Sequence, residues 1–144
     1  MQAFYPETEA EAADVVRAAL SENQAIQVSG SGSKQGWGRP VAADVDLHLS
    51  ALQGIESYEP EELVLTAKAG TAMAEIERAL AQKNQTLAFE PPDLGPLYGG
   101  GAGSGTLGGI IACNLSGPAR IRSGAARDHV LGLDAIGGRG EMFH

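Results

Sequence analysis

The sequence predicts an α+β fold built from amphipathic helices, short strands and two glycine-rich loops, in one domain over residues 1–144. Three observations lead to this prediction. A length of 144 residues with 43 % hydrophobic residues allows one core-bearing domain. Apolar residues recur with helical spacing in two segments and alternate in several short runs. Of the 20 glycines, fourteen lie at 95–140 and four at 30–38, and glycine marks backbone that takes positive φ or approaches a neighbour closely.

The first half of the chain predicts one helix and four strands. Thr8 and Glu11 form a capping box, and apolar residues at helical spacing follow it, so we expect a helix that ends near Asn23. A strand is expected at 25–29, and an alternating strand with His48 exposed at 45–50. Residues 55–58 and 63–67 predict two further strands joined by an acidic turn.

The second half predicts a helix from Thr71 to Asn84, a strand at 86–89 and a glycine-dominated loop at 93–105. A short helix is expected at 106–114, with Cys113 as a small core residue. Strands at 130–136 and from 141 onward follow, with a turn at 137–140 between them. The final strand has only begun at His144, so we expect the chain to be a fragment.

Charge and cysteine content exclude several classes of protein. The net charge of −8 is atypical of a nucleic-acid-binding surface. Residues 1–93 carry a net −9 and residues 94–144 a net +1, so the glycine-rich half is the part that does not repel an anion. One cysteine excludes an internal disulfide and fits a reducing compartment. We see no signal peptide and no membrane-spanning segment, and therefore expect a cytoplasmic protein.

Both glycine-rich segments have the pattern of an anion-binding loop. The predicted strand 25–29 runs into Gly30-Ser31-Gly32-Ser33, where small residues expose backbone N–H groups. It is not a Walker A loop, because Lys34 follows a serine, and a plain flexible turn remains an alternative. Residues 103–108 match GxGxxG, but they follow a loop rather than a buried strand, which argues against a Rossmann fold. The three histidines lack metal-ligand spacing, and we identify neither a metal site nor a catalytic residue.

Three segments in the second half resemble the flavin-binding signature of the vanillyl-alcohol oxidase type, also called the PCMH type. They are residues 106–109, 112–117 and 123–132, and the loop at 30–33 resembles the first pyrophosphate loop of the same family in the expected order. The resemblance implies a small βαβ-containing N-terminal lobe, about residues 1–70. A second α+β lobe, about residues 71–144, would follow and be incomplete here, and the substrate domain would be absent.

The resemblance also implies which residues contact FAD. Residues 29–33 would wrap the pyrophosphate, and Thr106, Gly108 and Gly109 would face the phosphates and flavin from the other side. The full set of implied cofactor-binding residues is Ser29, Gly30, Ser31, Gly32, Ser33, Asp93, Thr106, Leu107, Gly108, Gly109, Ala112, Leu115, Gly117 and Gly124. Relatives that attach FAD covalently carry a histidine where this chain has Ser33, so we expect non-covalent binding. The glycines at 95–105 exceed the family pattern.

Within that family, residues 89–92 and 115–118 are most similar to the small FAD-binding subunit of bacterial glycolate oxidases. This resemblance implies part of an enzyme that oxidises glycolate, a 2-hydroxy acid, to glyoxylate, with the 144-residue chain inactive alone. It implies a larger flavoprotein subunit and an iron–sulfur subunit as partners, through which the chain would reach the inner membrane. Two alternatives remain: a non-catalytic assembly subunit that docks a catalytic paralogue, and a nicotinamide-binding Rossmann enzyme.

Overall fold

The computed structural model of the chain describes residues 1–98 and 100–144; Gly99, in the predicted glycine-dominated loop, lies outside the described residues. Its N-terminal part contains a parallel sheet of three strands: β1 (Gln2–Phe4), β2 (Ile26–Ser29) and β3 (Val45–His48). The strand order is β1-β3-β2, and β3 pairs with both neighbours. Because all three strands run the same way, their carboxyl ends meet at one edge, the usual place for a ligand in such a sheet.

Helix α1 (Glu9–Ser21) connects β1 to β2 and begins after Thr8 as predicted, although only the Thr8 half of the capping box forms. Thr8 Oγ1 accepts a hydrogen bond from Glu11 N–H at 3.2 Å, which satisfies one of the unpaired donors of the first turn. The side chain of Glu11 accepts from Glu7 N–H at 2.8 Å. The buried face of α1 consists of alanines, among them Ala12 and Ala13, whose small side chains let the helix lie close to the sheet.

The central strand β3 is buried on both faces rather than alternating. Val45, Asp46 and Leu47 are 2 %, 5 % and 3 % exposed, as expected for the middle strand of a parallel sheet. His48 is half-buried, so the expectation of an exposed strand histidine is wrong. The structural reason is the parallel register, which places Ser29 beside His48.

The second core forms around a hairpin and a helix. Strands β4 (Ile55–Glu59) and β5 (Val64–Ala67) are antiparallel, and helix α2 (Met73–Ala81) follows them. Met73, Ile76 and Leu80 are the buried residues of α2, as their spacing predicts. The cluster of buried residues in this core consists of Met73, Ile76, Leu80, Phe89, Ile110, Leu115 and Ala126.

The remaining elements are short. Helix α3 (Leu107–Ala112) and helix α4 (Arg120–Ser123) precede a hairpin formed by β6 (Ala135–Ile136) and β7 (Met142–Phe143). Arg17 of α1 donates a hydrogen bond to the carbonyl oxygen of Gly140 at 2.5 Å. This contact joins the final hairpin to the first helix across the length of the chain.

Three local predictions are wrong. Residues 86–89 form no strand: Glu90 N–H bonds back to the Leu87 carbonyl, and the Phe89 carbonyl accepts from Gly117 N–H, so a turn carries Phe89 into the core. Residues 130–134 are not a strand either, because pairing with β7 is confined to β6. Cys113 is exposed because it is the C-cap of α3, where the chain leaves the core face occupied by Ile110.

Among the described residues, no helix is both long and apolar enough to cross a bilayer.

Thr71 joins the loop before β4 to the segment that begins α2. It is fully buried, and its hydroxyl donates to the Gly54 carbonyl at 3.1 Å and accepts from Gly54 N–H at 2.9 Å. Its own carbonyl accepts from Leu107 N–H at 2.9 Å. One residue therefore ties β4, α2 and α3 together.

We predict that Thr71→Val lowers the free energy of unfolding by about 1–3 kcal/mol, because the isosteric side chain leaves the half-buried Gly54 N–H without its partner, while the Gly54 carbonyl keeps the hydrogen bond from Lys68 N–H. Chemical denaturation measures this change. Thr71→Ser keeps the hydroxyl and is expected to lose about 1 kcal/mol with the methyl group. Thr86→Val, at an exposed threonine, is the matched control, and an equal loss in that variant would contradict the account.

Candidate cofactor site

The first glycine-rich loop leaves β2 at the carboxyl edge of the parallel sheet. Among the described residues, the backbone N–H groups of Ser31, Gly32 and Ser33 make no hydrogen bond. Gly32 has φ +75°, a conformation that glycine adopts without strain, and Ser33 is 8 % exposed. Consecutive unpaired N–H groups in a loop of small residues are donors for an anion such as a phosphate.

The second segment forms the beginning of α3, and its N–H groups are already bonded. Thr106 is the N-cap, with its Oγ1 accepting from Gly109 N–H at 3.4 Å. Leu107 N–H donates to the Thr71 carbonyl at 2.9 Å, and Gly108 N–H donates to the Ala69 carbonyl at 2.8 Å. This turn therefore contributes shape and side chains to the site rather than free backbone donors.

The two segments meet at Gly30. A Cβ on Gly30 would collide with the Oγ1 of Thr106 and would lie 3.2 Å from its Cγ2. On the other side of Thr106, a Cβ on Gly109 would lie 2.8 Å from Lys34 Nζ and 3.2 Å from Thr106 Oγ1. Gly30 therefore marks the close approach of the two loops, whereas a Cβ at Gly109 would require the flexible end of the Lys34 side chain to move.

The described glycines of the surplus, at 95 and 100–105, belong to a loop held by Asp93 and placed against the first loop. Asp93 Oδ1 accepts from Gly95 N–H at 3.0 Å, and Oδ2 accepts from Gly103 N–H at 2.6 Å. The ring of Tyr98 lies where a Cβ on Gly36 would be, 2.8 Å from its Cδ1. In this structure both carboxylate oxygens of Asp93 thus organise the loop, and its predicted contact with the cofactor remains a prediction.

The other predicted site residues lie farther along the chain in different surroundings. Ala112 is exposed at the end of α3, and Leu115 belongs to the second core. A Cβ on Gly117 would lie 2.5 Å from the Glu90 carbonyl oxygen, and Gly124 turns the chain at φ +88° beside Asp128. The structure brings residues 29–33 and 106–109 together, and it gives Leu115, Gly117 and Gly124 packing or turn roles.

Sequence reasoning missed a polar cluster beneath the first loop. Ser29 Oγ donates to Asp46 Oδ1 at 3.0 Å and lies 2.9 Å from His48 Nδ1, while His48 Nε2 lies 3.0 Å from Asp46 Oδ2. The ring of Tyr5 stacks on His48 with centroids 4.6 Å apart and planes 7° from parallel. The cluster joins the ends of all three strands at the point where residue 30 begins the loop. No local sequence signal marks this cluster, because Ser29 and His48 meet through the parallel register of β2 and β3.

Comparison with known proteins places these features in one family. The sequence model of the FAD binding domain family matches residues 2–144. The glycolate oxidase subunit GlcE of Escherichia coli K12 is 41 % identical over 126 residues, which cover 88 % of this chain and 34 % of that protein. The mitochondrial D-2-hydroxyglutarate dehydrogenase of Rattus norvegicus is 26 % identical over 132 residues, 91 % of this chain and 23 % of that protein. The chain thus spans about a third or less of these relatives.

Solved structures share the fold at lower identity. A Phl p 4 variant described as a glucose oxidase superposes with a TM-score of 0.78 at 16 % identity, covering 98 % of this chain and 28 % of that one. An alkyldihydroxyacetonephosphate synthase superposes with a TM-score of 0.77 at 21 % identity, covering 98 % of this chain and 25 % of that one. These similarities show the fold alone.

We predict that Asp46→Ala lowers the free energy of unfolding by about 2–4 kcal/mol, because it removes the buried acceptor of Ser29 and His48. Denaturant unfolding measures the loss. Glu56→Ala, at an exposed carboxylate on β4, is the control and is expected to change stability by less than about 0.5 kcal/mol. A difference of less than about 0.5 kcal/mol between the two variants would contradict a structural role for this cluster.

Proposed function

The chain belongs to the FAD binding domain family, and from that premise we propose that it is the FAD-holding part of an oxidoreductase that converts glycolate, a 2-hydroxy acid, to glyoxylate. FAD is the cofactor of this PCMH-type domain. The observation that carries the proposal is the close approach of Gly30 to Thr106. It brings the two flavin-family motifs, residues 29–33 and 106–109, into one site, which we call the cradle.

The residues of the cradle fit a bound diphosphate. N–H groups at 31–33, which make no hydrogen bond among the described residues, supply donors; Gly30 keeps a Cβ out of the space between the loops, and Ser33 offers a buried hydroxyl. Neutral donors and small residues let a diphosphate replace its water without steric obstruction. We propose that FAD is held non-covalently by the residues named from the resemblance: Ser29, Gly30, Ser31, Gly32, Ser33, Asp93, Thr106, Leu107, Gly108, Gly109, Ala112, Leu115, Gly117 and Gly124.

The work of this chain in the reaction is to bind and orient the cofactor. Bound FAD supplies the capacity to accept a hydride from the substrate carbon. The loop at 31–33 holds the diphosphate, and the Ser29–Asp46–His48 cluster fixes the strand end from which that loop departs. We assign the binding of substrate to a part of the enzyme beyond these 144 residues.

The substrate class rests on what two relatives act on. GlcE is a subunit of a glycolate oxidase, and a second relative is a D-2-hydroxyglutarate dehydrogenase. Glycolate and 2-hydroxyglutarate both carry a hydroxyl group on the carbon next to a carboxylate. The higher identity to GlcE, 41 % against 26 %, favours glycolate for this chain.

We also propose that the chain assembles with a larger flavoprotein subunit and an iron–sulfur subunit, and that these partners bring it to the cytoplasmic face of the inner membrane. The support is that GlcE is by name a subunit. Co-purification of both partners with a tagged chain, from the membrane fraction as well as from the supernatant, tests this assembly.

Anaerobic addition of glycolate to the purified assembly is expected to bleach the visible absorbance of its flavin, because oxidation of the hydroxyl carbon reduces FAD. Ethylene glycol, which has the hydroxyl group without the carboxylate, is the matched control and is expected to leave the spectrum unchanged. A flavin that neither glycolate nor 2-hydroxyglutarate reduces would contradict the enzymatic proposal. A purified chain that binds no FAD would overturn the proposed function at its base.

A further inference from the structure

Lys34 places a positive charge between the two loops of the site. Its Nζ lies 3.4 Å from Ser33 Oγ and would lie 2.8 Å from a Cβ on Gly109, so the glycine leaves room for the ammonium group in this position. Among the described residues, no Asp or Glu oxygen lies within 4.0 Å of this ammonium group. The side chain is half-buried. A partly desolvated cation without a carboxylate partner favours an anion from outside the protein.

The backbone donors around Lys34 are unequally available. Leu107 and Gly108 N–H groups are bonded to backbone carbonyls, and Gly109 N–H faces Thr106 Oγ1. The N–H groups at 31–33 make no hydrogen bond within the part of the chain that the structure describes, but these donors are neutral. Neutral donors orient a dianion, whereas compensating its charge requires a cation. Lys34 is the one lysine or arginine in or directly after residues 29–33, and residues 106–109 contain neither.

We propose that the Lys34 ammonium group binds the diphosphate of FAD, closing the cradle from the side of α3 while the N–H groups of residues 31–33 close it from the other. This inference rests on the proposed placement of FAD between the two loops. It adds a charged contact to that placement. It also explains why residue 109 is a glycine, because a side chain there would displace the ammonium group.

Lys34 contributes little to folding, so its role in binding can be measured separately. Among the described residues its ammonium group has no carboxylate partner, and the one hydrogen bond of its side chain, to Ser33 Oγ, is long at 3.4 Å. Replacing it by methionine keeps an unbranched apolar stem and removes the charge. Lys34→Met is therefore expected to keep the melting temperature of the original protein.

The experiment measures the affinity of the purified protein for three ligands at low ionic strength, where screening is weak. FAD contains both the diphosphate and the flavin, ADP only the diphosphate, and riboflavin only the flavin. Lys34→Met is expected to raise the dissociation constants of FAD and ADP by about tenfold or more, the loss typical of one charge-assisted hydrogen bond. The dissociation constant of riboflavin is expected to stay unchanged. Lys34→Arg keeps the charge and is expected to retain most of the affinity. Lys83→Met, at an exposed lysine after α2, is the matched control.

Gly109→Ala supplies an independent variant that leaves the charge in the protein. It is expected to weaken the binding of FAD and ADP by displacing the ammonium group. In the Lys34→Met background it is expected to have little further effect, because both changes remove the same contact. Full additivity of the two losses would overturn the pairing of Gly109 with Lys34.

Two results would overturn the assignment while leaving the FAD site intact. If Lys34→Met bound FAD and ADP as tightly as the original protein, the ammonium group would not contact the diphosphate. If riboflavin weakened as much as FAD, Lys34 would face the flavin ring instead. If the original protein bound neither FAD nor ADP, the proposed function would be overturned together with this inference. That outcome is seen in the original protein alone, so it is distinguishable from a failure of the Lys34 assignment, which is seen only in the variants.

Discussion

The close approach of the first loop to Thr106 is the constraint on which the rest of the structure depends. Gly30 passes so near the Thr106 side chain that no Cβ fits between them. Thr106 is 4 % exposed, caps α3 and pairs with Ala72 in an isolated bridge, while Met73 N–H donates to the Gly105 carbonyl at 2.8 Å. The start of α2, the start of α3 and the first loop therefore converge on one buried threonine.

Two sets of hydrogen bonds hold the loops in this arrangement. On one side, the Ser29–Asp46–His48 cluster fixes the ends of β2 and β3, so the first loop departs from a rigid edge. On the other, Thr71 and Ala69 carbonyls hold the first turn of α3. Binding groups placed on such supports lose little conformational entropy when a ligand arrives, which favours affinity. The site is thus prepared by packing that lies outside it.

The sequence predicted what depends on local patterns and missed what depends on pairing at a distance. The capping box at Thr8 and the spacing of Met73, Ile76 and Leu80 gave the two longer helices. The His48 environment could not be read locally, because it arises from the parallel register with Ser29. The strand expected at 86–89 failed for a similar reason: the backbone of Phe89 and Glu90 bonds to Gly117 and Leu87, and Glu90 turns at φ +47°.

The predicted contacts with FAD stay predictions, but the structure shows which of the predicted site residues come together. The motifs at 29–33 and 106–109 indicated the two loops that meet, whereas Lys34 had no motif to mark it and became visible only through its position against Gly109. Leu115 follows the apolar pattern of the family signature, yet it packs in the second core. Side chains that matter by proximity across loops leave no spacing signal in the chain.

Amide hydrogen exchange of the protein with and without FAD tests the central claim most directly. The N–H groups at 31–33 make no hydrogen bond among the described residues, so the account predicts that FAD slows their exchange strongly. The N–H groups of Leu107 and Gly108 are bonded already and are predicted to change little. Unchanged exchange at 31–33 in protein that has bound FAD would contradict the placement of the diphosphate in this loop.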